Sequence, residues 1–249
     1  MSRMPAQMES SGNGNGTVTA LSVAAAGPAA DALPLALRGV SKRWHKSQEP
    51  VLDEVDLDLD IGTSTWIGGR NGVGKTTLLR IAAGLIDPDH GRAQAWGFTA
   101  AERRGRYQQL ISLLPAGDRG LYARLTVRRQ LMFWARISMV DRARAAAVVE
   151  EAIDAFALRE LAGRRVDRMS MGQRQRVRIA MTFLAEPEVV LLDEPLTSLD
   201  SEGAEILDRA IDGMLGRGGA LLWCSPEGER LDREFDTKLV LERGRLAPA

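Results

Sequence analysis

The sequence has 249 residues, 45% of them hydrophobic, which is enough to bury the core of one large domain or two small ones. Lys and Arg total 33, as do Asp and Glu, so no basic surplus favours nucleic acid or an anionic membrane as a partner. The single cysteine, Cys224, excludes an internal disulfide, fits a reducing compartment, and is expected as a small apolar side chain in a strand. No apolar run approaches the roughly 18 residues of a membrane span, so a role at a membrane would require another chain.

Residues 1–33 are predicted to be a disordered tail. They contain no aromatic residue and only three charged ones, and their Ser, Gly, Asn, Ala and Pro content cannot support a packed core. The alternative is a signal peptide over residues 18–30, which are apolar and end in small residues, although Arg3 is the only positive charge before them.

Residues 51–61 alternate between apolar side chains and aspartates, which predicts a half-buried strand in a small antiparallel sheet. Trp44 lies just before this segment. An exposed aromatic there could stack on a purine base, or it could be an ordinary packing tryptophan.

Residues 69–76 read Gly-Arg-Asn-Gly-Val-Gly-Lys-Thr and match the phosphate-binding pattern G-x-x-x-x-G-K-[ST]. An apolar strand at residues 65–67 precedes them and a helical run over residues 76–85 follows, which is the context that the pattern requires. The glycines let backbone N–H groups turn inward, and the helix start favours negative charge. Lys75, one of four lysines, would reach the outer phosphates, and the Thr76 hydroxyl would bind Mg²⁺. The alternative is a glycine-rich turn before an ordinary helix.

A helical segment is predicted after a short strand at residues 110–114, which Pro115 closes. It contains five apolar residues on one helical face: Ala145, Val149, Ala152, Ile153 and Phe156. We therefore expect an all-helical insert in an α/β chain.

Residues 169–173 open another helix, whose start could bind an anion. Its apolar face comprises Val177, Ala180, Met181 and Leu184, with Arg174 and Arg178 off that face.

The strand at residues 189–192 is apolar at every position, as in a central parallel strand covered on both faces. It ends in Asp193, Glu194 and Pro195, at the edge where open α/β sheets bind ligands, although a solvated acidic loop is the alternative. A helix over residues 201–215 and strands at 220–224 and 238–241 complete the prediction.

The phosphate loop, the helix start Ser170-Met171-Gly172-Gln173 and the strand ending in Asp193-Glu194-Pro195 follow one another in an order that resembles the ATPase subunits of ABC transporters. The resemblance covers roughly residues 35–246. It implies an α/β fold with a P-loop NTPase core of the ABC ATPase type, a small antiparallel β subdomain and a helical subdomain inserted over about residues 116–180. The ABC-type nucleotide-binding domain would span residues 34–249, and two such subunits would sandwich two ATP molecules.

The resemblance also implies the site residues. Trp44 would stack on adenine, Asp193 and Thr76 would hold Mg²⁺, and Glu194 would act as general base, with Lys75 as the second catalytic residue. The nucleotide-binding loop would comprise Gly69, Arg70, Asn71, Gly72, Val73, Gly74, Lys75, Thr76 and Thr77. The signature that meets the ATP of the opposite subunit would comprise Ser170, Met171, Gly172 and Gln173. The interface loop would comprise Ser198, Leu199 and Asp200.

The sequence departs from the family pattern at three positions. Ala116-Gly117-Asp118-Arg119 stands where the family has a glutamine, and Pro226-Glu227 where it has a histidine. Met171 replaces the first glycine of the signature pair. We therefore expect slow hydrolysis, and whether Asp118, Arg119 or Glu227 replaces the missing groups stays open.

The leading functional hypothesis is a cytoplasmic ATPase subunit, peripheral at the inner face of the cell membrane through a separate transmembrane permease subunit. A second ATPase subunit would complete a homodimer or heterodimer, and residues 120–127 resemble the corresponding segment of exporters. One alternative is a regulatory subunit that binds ATP but hardly hydrolyses it. Another is a soluble ABC protein of translation or DNA maintenance, although no nucleic acid partner is expected. The sequence does not indicate a transported substrate.

Overall fold

The computed structural model describes residues 32–44, 49–227 and 232–249. Apart from Ala32 and Leu33, the predicted tail and the alternative signal peptide lie outside the described residues, and so does His45. The strands, in chain order, are β1 (Leu35–Lys42), β2 (Leu52–Leu59), β3 (Ser64–Gly68), β4 (His90–Gln94), β5 (Ile111–Leu114), β6 (Val189–Asp193), β7 (Ala220–Cys224), β8 (Thr237–Glu242) and β9 (Arg245–Pro248). The α-helices are α1 (Lys75–Ala82), α2 (Ala100–Leu110), α3 (Val127–Ile137), α4 (Ala145–Ala155), α5 (Met171–Phe183) and α6 (Ser201–Gly216).

The strands form two sheets. The larger has the order β5-β6-β7-β3-β8-β9, in which the first five strands are parallel and β9 pairs antiparallel with β8 at the edge. The smaller sheet has the antiparallel order β2-β1-β4 and confirms the prediction made from residues 51–61. The carboxyl ends of β3, β5, β6 and β7 therefore lie along one edge of the larger sheet, where this type of sheet binds ligands.

Strand β6 is buried on both faces, as the apolar sequence of residues 189–192 predicted. Val190 and Leu192 face the core formed with the helices of the insert and α6. Val189 and Leu191 face a second core formed with α1 and the small sheet. Alternate residues of a strand point to opposite faces, so β6 packs into both of these cores.

The segment between β5 and β6 contains α3, α4 and α5, which supports the predicted helical insert, although its bounds stay a prediction. Buried Gln130 fixes the start of the insert: its Oε1 accepts from Tyr122 N at 2.9 Å and its Nε2 donates to Gly120 O at 3.1 Å. Within the described ranges, no helix is long and apolar enough to cross a membrane.

Three local predictions differ from the structure. Helix α1 ends at Ala82 because Gly84 adopts a positive φ of 65° and Leu85 N bonds to Arg80 O, the arrangement that commonly terminates helices. Leu110 ends α2 instead of beginning β5. Ile61 lies beyond β2 and is exposed. Helix α2 itself was missed because its sequence is mostly polar and lacks an apolar face.

Tyr107 of α2 stabilises the end of α1. Its buried hydroxyl donates to Ala82 O at 2.6 Å, satisfying one of the last carbonyls of that helix. We expect Tyr107→Phe to lower the free energy of unfolding by about 1–3 kcal/mol, because it leaves a buried carbonyl without its partner. Urea denaturation measures this change, with Tyr122→Phe, at an exposed tyrosine, as the control. A loss no larger than that of the control would contradict the assignment.

Candidate functional site

The phosphate-loop pattern lies between the end of β3 and the start of α1. Two of its glycines are required by close approach of other backbone atoms. A Cβ at Gly69 would lie 2.7 Å from Leu241 O, and one at Gly74 would lie 2.8 Å from Val51 O. Their φ angles are 152° and 123°, values that residues other than glycine rarely adopt. The loop is therefore held between β8 and the residue before β2.

Lys75 begins α1 and is only 5% exposed. Its ammonium donates to two carbonyls of the loop itself, Gly69 O and, at 3.1 Å, Arg70 O. The charge thus lies inside the loop and next to the start of a helix. Phosphate oxygens could accept the same N–H bonds and would gain from both the ammonium and the helix dipole.

Thr76 and Asp193 lie in direct contact. Thr76 Oγ1 donates to Asp193 Oδ2 at 2.8 Å, and Asp193, the last residue of β6, is buried. A hydroxyl and a carboxylate beside a phosphate loop are the oxygen ligands that Mg²⁺ prefers, so these residues fit the ion.

Cys224 pairs with Asp193 in the register of β6 and β7. Burial raises the pKa of its thiol, the charge of Asp193 raises it further, and Lys75 opposes both effects. The cysteine is buried, as the sequence predicted, and lies in the field of both charged residues.

Glu194 follows Asp193 in a left-handed conformation with φ of 52°. Such a conformation costs a residue other than glycine about 1–3 kcal/mol and often marks a functional position. It is held by a bond from Glu194 N to Cys224 O at 2.9 Å and by Thr197 N, which donates to Glu194 O at 3.3 Å. Glu194 also lines a cavity of about 70 Å³ together with Met171 and Ser198.

Ser170 caps α5 with a reciprocal pair of bonds. Its hydroxyl accepts from Gln173 N at 3.2 Å, and Gln173 Oε1 accepts from Ser170 N at 3.1 Å. Met171 is 58% exposed, and a Cβ at Gly172 would lie 2.8 Å from Ser198 O. The structure therefore brings the signature residues against the predicted interface loop.

The interface loop, residues 198–200, leads into α6. Asp200 caps that helix by accepting from Gly203 N at 2.8 Å, and Leu199 packs closely against Gly203. Arg176 of α5 lies 3.5 Å from an Asp200 oxygen and 3.1 Å from a Glu202 oxygen. Ion pairs as well as packing thus connect α5 to this loop.

Trp44 has a different environment. It is 46% exposed and lies at the end of the small sheet, where Lys42 Nζ is 5.5 Å from its ring centroid. Lys42 is itself held by Asp89 at 2.7 Å. The exposed part of the ring fits a stacking role.

The two divergent loops also border the site. Pro226 and Glu227 line an open cavity with Arg70 and Asn71, so the loop after β7 faces the phosphate loop. In the loop after β5, Asp118 lies 3.4 Å from Arg174 of α5.

Sequence analysis missed three buried polar residues near these loops: Gln175, Arg178 and Ser225. The helical period placed Arg178 off the apolar face and gave no sign of its burial. Ser225 accepts a bond from Trp66 Nε1 at 2.9 Å, a contact between residues 159 positions apart that no local pattern indicates.

The chain is similar to known ATP-binding proteins of ABC transporters. The family model described as ABC transporter matches residues 52–197. The chain is 30% identical to the ABC transporter ATP-binding protein NatA of Bacillus subtilis, over 85% of this chain and 87% of that protein. It is 36% identical to the cytochrome c biogenesis ATP-binding export protein CcmA of Sphingopyxis alaskensis, over 77% and 89%.

A solved structure of the ATP-binding subunit of an ABC transporter superposes with a TM-score of 0.78 at 24% identity, covering 86% of this chain and 89% of that one, and shows the same fold. The predicted ABC ATPase fold is therefore confirmed. Since the family model covers more than half of the sequence and NatA aligns over most of both chains, the chain belongs to the ABC transporter family, among its ATP-binding proteins.

Proposed function

We propose that this chain binds Mg-ATP at residues 69–77 and hydrolyses it slowly, as the ATPase subunit of a membrane transporter of the export type. The observation that carries the proposal is the group formed by Lys75, Thr76 and Asp193. A buried ammonium, a hydroxyl and a carboxylate lie together at the start of a helix and the carboxyl edge of the sheet. This arrangement suits a phosphate group with a divalent ion, as in Mg-ATP.

In the proposed mechanism, Lys75 and the N–H groups of the loop hold the phosphates, while Thr76 and Asp193 hold Mg²⁺. When bound, the ion supplies positive charge beside the phosphates. Glu194 accepts the proton of the attacking water, because it is a carboxylate one residue beyond the predicted Mg²⁺ ligand. Trp44 stacks on the adenine ring.

A second ATPase subunit supplies the remaining contacts in this proposal. The start of α5, with Ser170 and Gly172, would meet the terminal phosphate bound by the opposite subunit, since the helix dipole favours negative charge there. The proposal is supported by the exposed side chain of Met171 and by the close approach of Gly172 to Ser198 O.

A transmembrane permease subunit is the proposed third component, which would hold the chain at the inner face of the cell membrane. Three exposed apolar side chains of the helical insert support a protein partner: Tyr122, Phe133 and Ile137. Tyr122 and Phe133 are in edge-to-face contact, with ring centroids 5.1 Å apart, and Ile137 follows Phe133 by one helical turn. The similarity to an export protein and the exporter-like residues 120–127 favour export.

ATP binding is expected to depend on Lys75. Replacing it with alanine removes the buried ammonium, so that the loop itself opposes the triphosphate charge with backbone dipoles alone. We expect Lys75→Ala to abolish Mg-ATP binding in isothermal titration calorimetry. Lys238→Ala, at an exposed lysine, is the matched control and should bind as the wild type does. Affinity of Lys75→Ala within about threefold of the wild type, which is under roughly 1 kcal/mol, would refute the loop assignment.

The same titration tests the stacking role of Trp44. Trp44→Ala should weaken binding by roughly 1–3 kcal/mol, the usual contribution of base–aromatic stacking. Trp44→Phe keeps an aromatic ring and should lose less. Equal affinities of all three folded proteins would assign Trp44 a purely structural role.

Steady-state turnover should be slow and should depend on Glu194. The loops that follow β5 and β7 lack the expected glutamine and histidine, and losing one group that stabilises transition-state charge typically costs on the order of 10²–10³ in rate. We expect the purified wild type to turn over below about 1 s⁻¹, the low end of ordinary enzymes. Glu194→Gln should remove the remaining activity but retain ATP binding.

Two further variants make the turnover test specific. Glu205→Gln, at an exposed position of α6, is the control and should leave turnover unchanged. Ala116→Gln combined with Pro226→His should raise it. Turnover above about 1 s⁻¹ in the wild type, with no gain in the double variant, would show that other residues already perform these roles.

Co-purification from detergent extracts tests the transporter assignment. The tagged chain should retain a polytopic membrane protein, because exposed apolar side chains of the insert would be covered by such a partner. Phe133→Asp, which places a charge in this patch, should reduce the yield of the partner, whereas Arg209→Ala on α6 should not. Recovery of ribosomes or nucleic acid in its place would support the soluble alternative.

A further inference from the structure

Arg178 is a buried cation in the middle of α5, with only 4% of its surface exposed. Its guanidinium donates to three oxygen atoms: Arg119 O at 3.1 Å from Nε, Pro115 O from Nη2 and Gln175 Oε1 from Nη1. Two of these acceptors are backbone carbonyls of the loop that follows β5. Arg178 therefore spans the loop from its first residue to its fifth.

Among the described residues, no carboxylate forms an ion pair with Arg178. Burial lowers the pKa of its guanidinium, and the nearby charge of Asp118 only partly opposes this effect. The carboxylate of Asp118 lies 3.4 Å from a different arginine, Arg174. Burying a cation against neutral oxygens costs free energy that an apolar side chain would not incur. Its directional hydrogen bonds supply what an apolar residue could not, namely a fixed position of the loop.

A second bond extends the contact to the neighbouring loop. Gln175, which accepts from Arg178, donates from Nε2 to Pro195 O at 2.8 Å. Pro195 directly follows Glu194, and β5 and β6 are adjacent parallel strands. The chain of bonds thus joins the loops at the ends of two neighbouring strands. Gln175, Arg178 and Glu194 line the same cavity of about 70 Å³.

We propose that Arg178 is a positioning residue for ATP hydrolysis, which holds the loop of residues 115–119 and, through Gln175, fixes the backbone on which Glu194 is carried. This inference rests on the proposed function, in which Glu194 accepts a proton from water. Arg178 does not touch the reacting atoms. Its removal leaves Glu194 present but displaced, and displacement of a catalytic group by about 1 Å can cost up to roughly 10²-fold in rate.

The test compares kcat, KM and the Kd for Mg-ATP in the wild type and Arg178→Met, which keeps much of the side-chain volume. We expect kcat to fall about 10- to 100-fold, while the Kd changes less than about threefold, because Lys75, Thr76 and Asp193 are untouched. Arg178→Lys keeps the charge and some hydrogen-bond donors, so its kcat should lie between those of the wild type and Arg178→Met. Arg209→Met on α6 is the control for replacing an exposed arginine.

Gln175→Met separates positioning from a general effect on folding. It leaves the bonds from Arg178 to Pro115 and Arg119 possible but removes the donor to Pro195. Because the two residues act in series, the double variant should have the kcat of the lower single variant within about threefold, not the product of the two losses. The melting temperatures of the variants show whether a loss of kcat results from a loss of stability instead.

The results for these variants support or overturn the role of Arg178. If Arg178→Met is folded and retains its kcat, the inference is overturned. If it does not fold, Gln175→Met and Arg178→Lys decide, and an unchanged kcat in both overturns it. A wild type that neither binds nor hydrolyses Mg-ATP refutes the proposed function itself, whereas normal hydrolysis in every variant refutes only the role of Arg178.

Discussion

The hydrogen bond from Thr76 to Asp193 joins the start of α1 to the carboxyl end of β6, and the geometry of the candidate site depends on it. It aligns a helix start, which favours anions, with the edge of the sheet that carries the acidic residues. The loop between them is fixed from two sides, by Leu241 O against Gly69 and by Val51 O against Gly74. Strand β8 of the larger sheet and the residue before β2 of the smaller one therefore hold the loop in one conformation.

Helix α5 connects the helical insert with this site. Its first turn carries the signature residues, its apolar face packs into the core that contains Val190 and Leu192, and its buried Gln175 reaches Pro195. Arg176, on another side of the same helix, contacts the interface loop through Asp200. A rotation of α5 would therefore move the signature, the interface loop and the backbone beside Glu194 together, since well-packed cores transmit displacement.

The sequence predicts the parts of the fold whose causes are local. The first four residues of strand β6, 189–192, are apolar because both faces of the strand are covered, and β7 has the predicted limits, Ala220 and Cys224. The phosphate loop could be predicted because glycine, lysine and threonine are needed at fixed spacing. Helix α2 could not, because only Tyr107 and Leu110 of its eleven residues are buried.

Contacts between distant segments explain what sequence analysis missed at the site. A periodic pattern cannot distinguish an arginine exposed to solvent from one such as Arg178, whose partners, Pro115 and Arg119, lie about 60 positions away. Likewise, no local pattern indicates that Trp66 donates a hydrogen bond to Ser225, which is 159 positions away. A local pattern indicates whether a side chain prefers to be buried. It does not indicate whether a segment distant in the sequence provides a hydrogen-bond partner for it.

The candidate site lies among the loops that follow four strands, and these loops fall into two pairs. The loops after β3 and β6 keep the charged groups expected to bind phosphate and metal, whereas those after β5 and β7 carry Ala116 and Pro226 in place of groups expected to assist the reaction. In the loop after β5, Arg178 bonds to backbone carbonyls, so these bonds do not depend on the side chain at Ala116. Under the proposed function, a substitution there would change the rate of the reaction without altering the residues expected to bind the nucleotide. Under the proposed function, nucleotide binding and hydrolysis are therefore separable: Lys75, Thr76 and Asp193 would determine the first, and the placement of Glu194 between two differently anchored loops would determine the second.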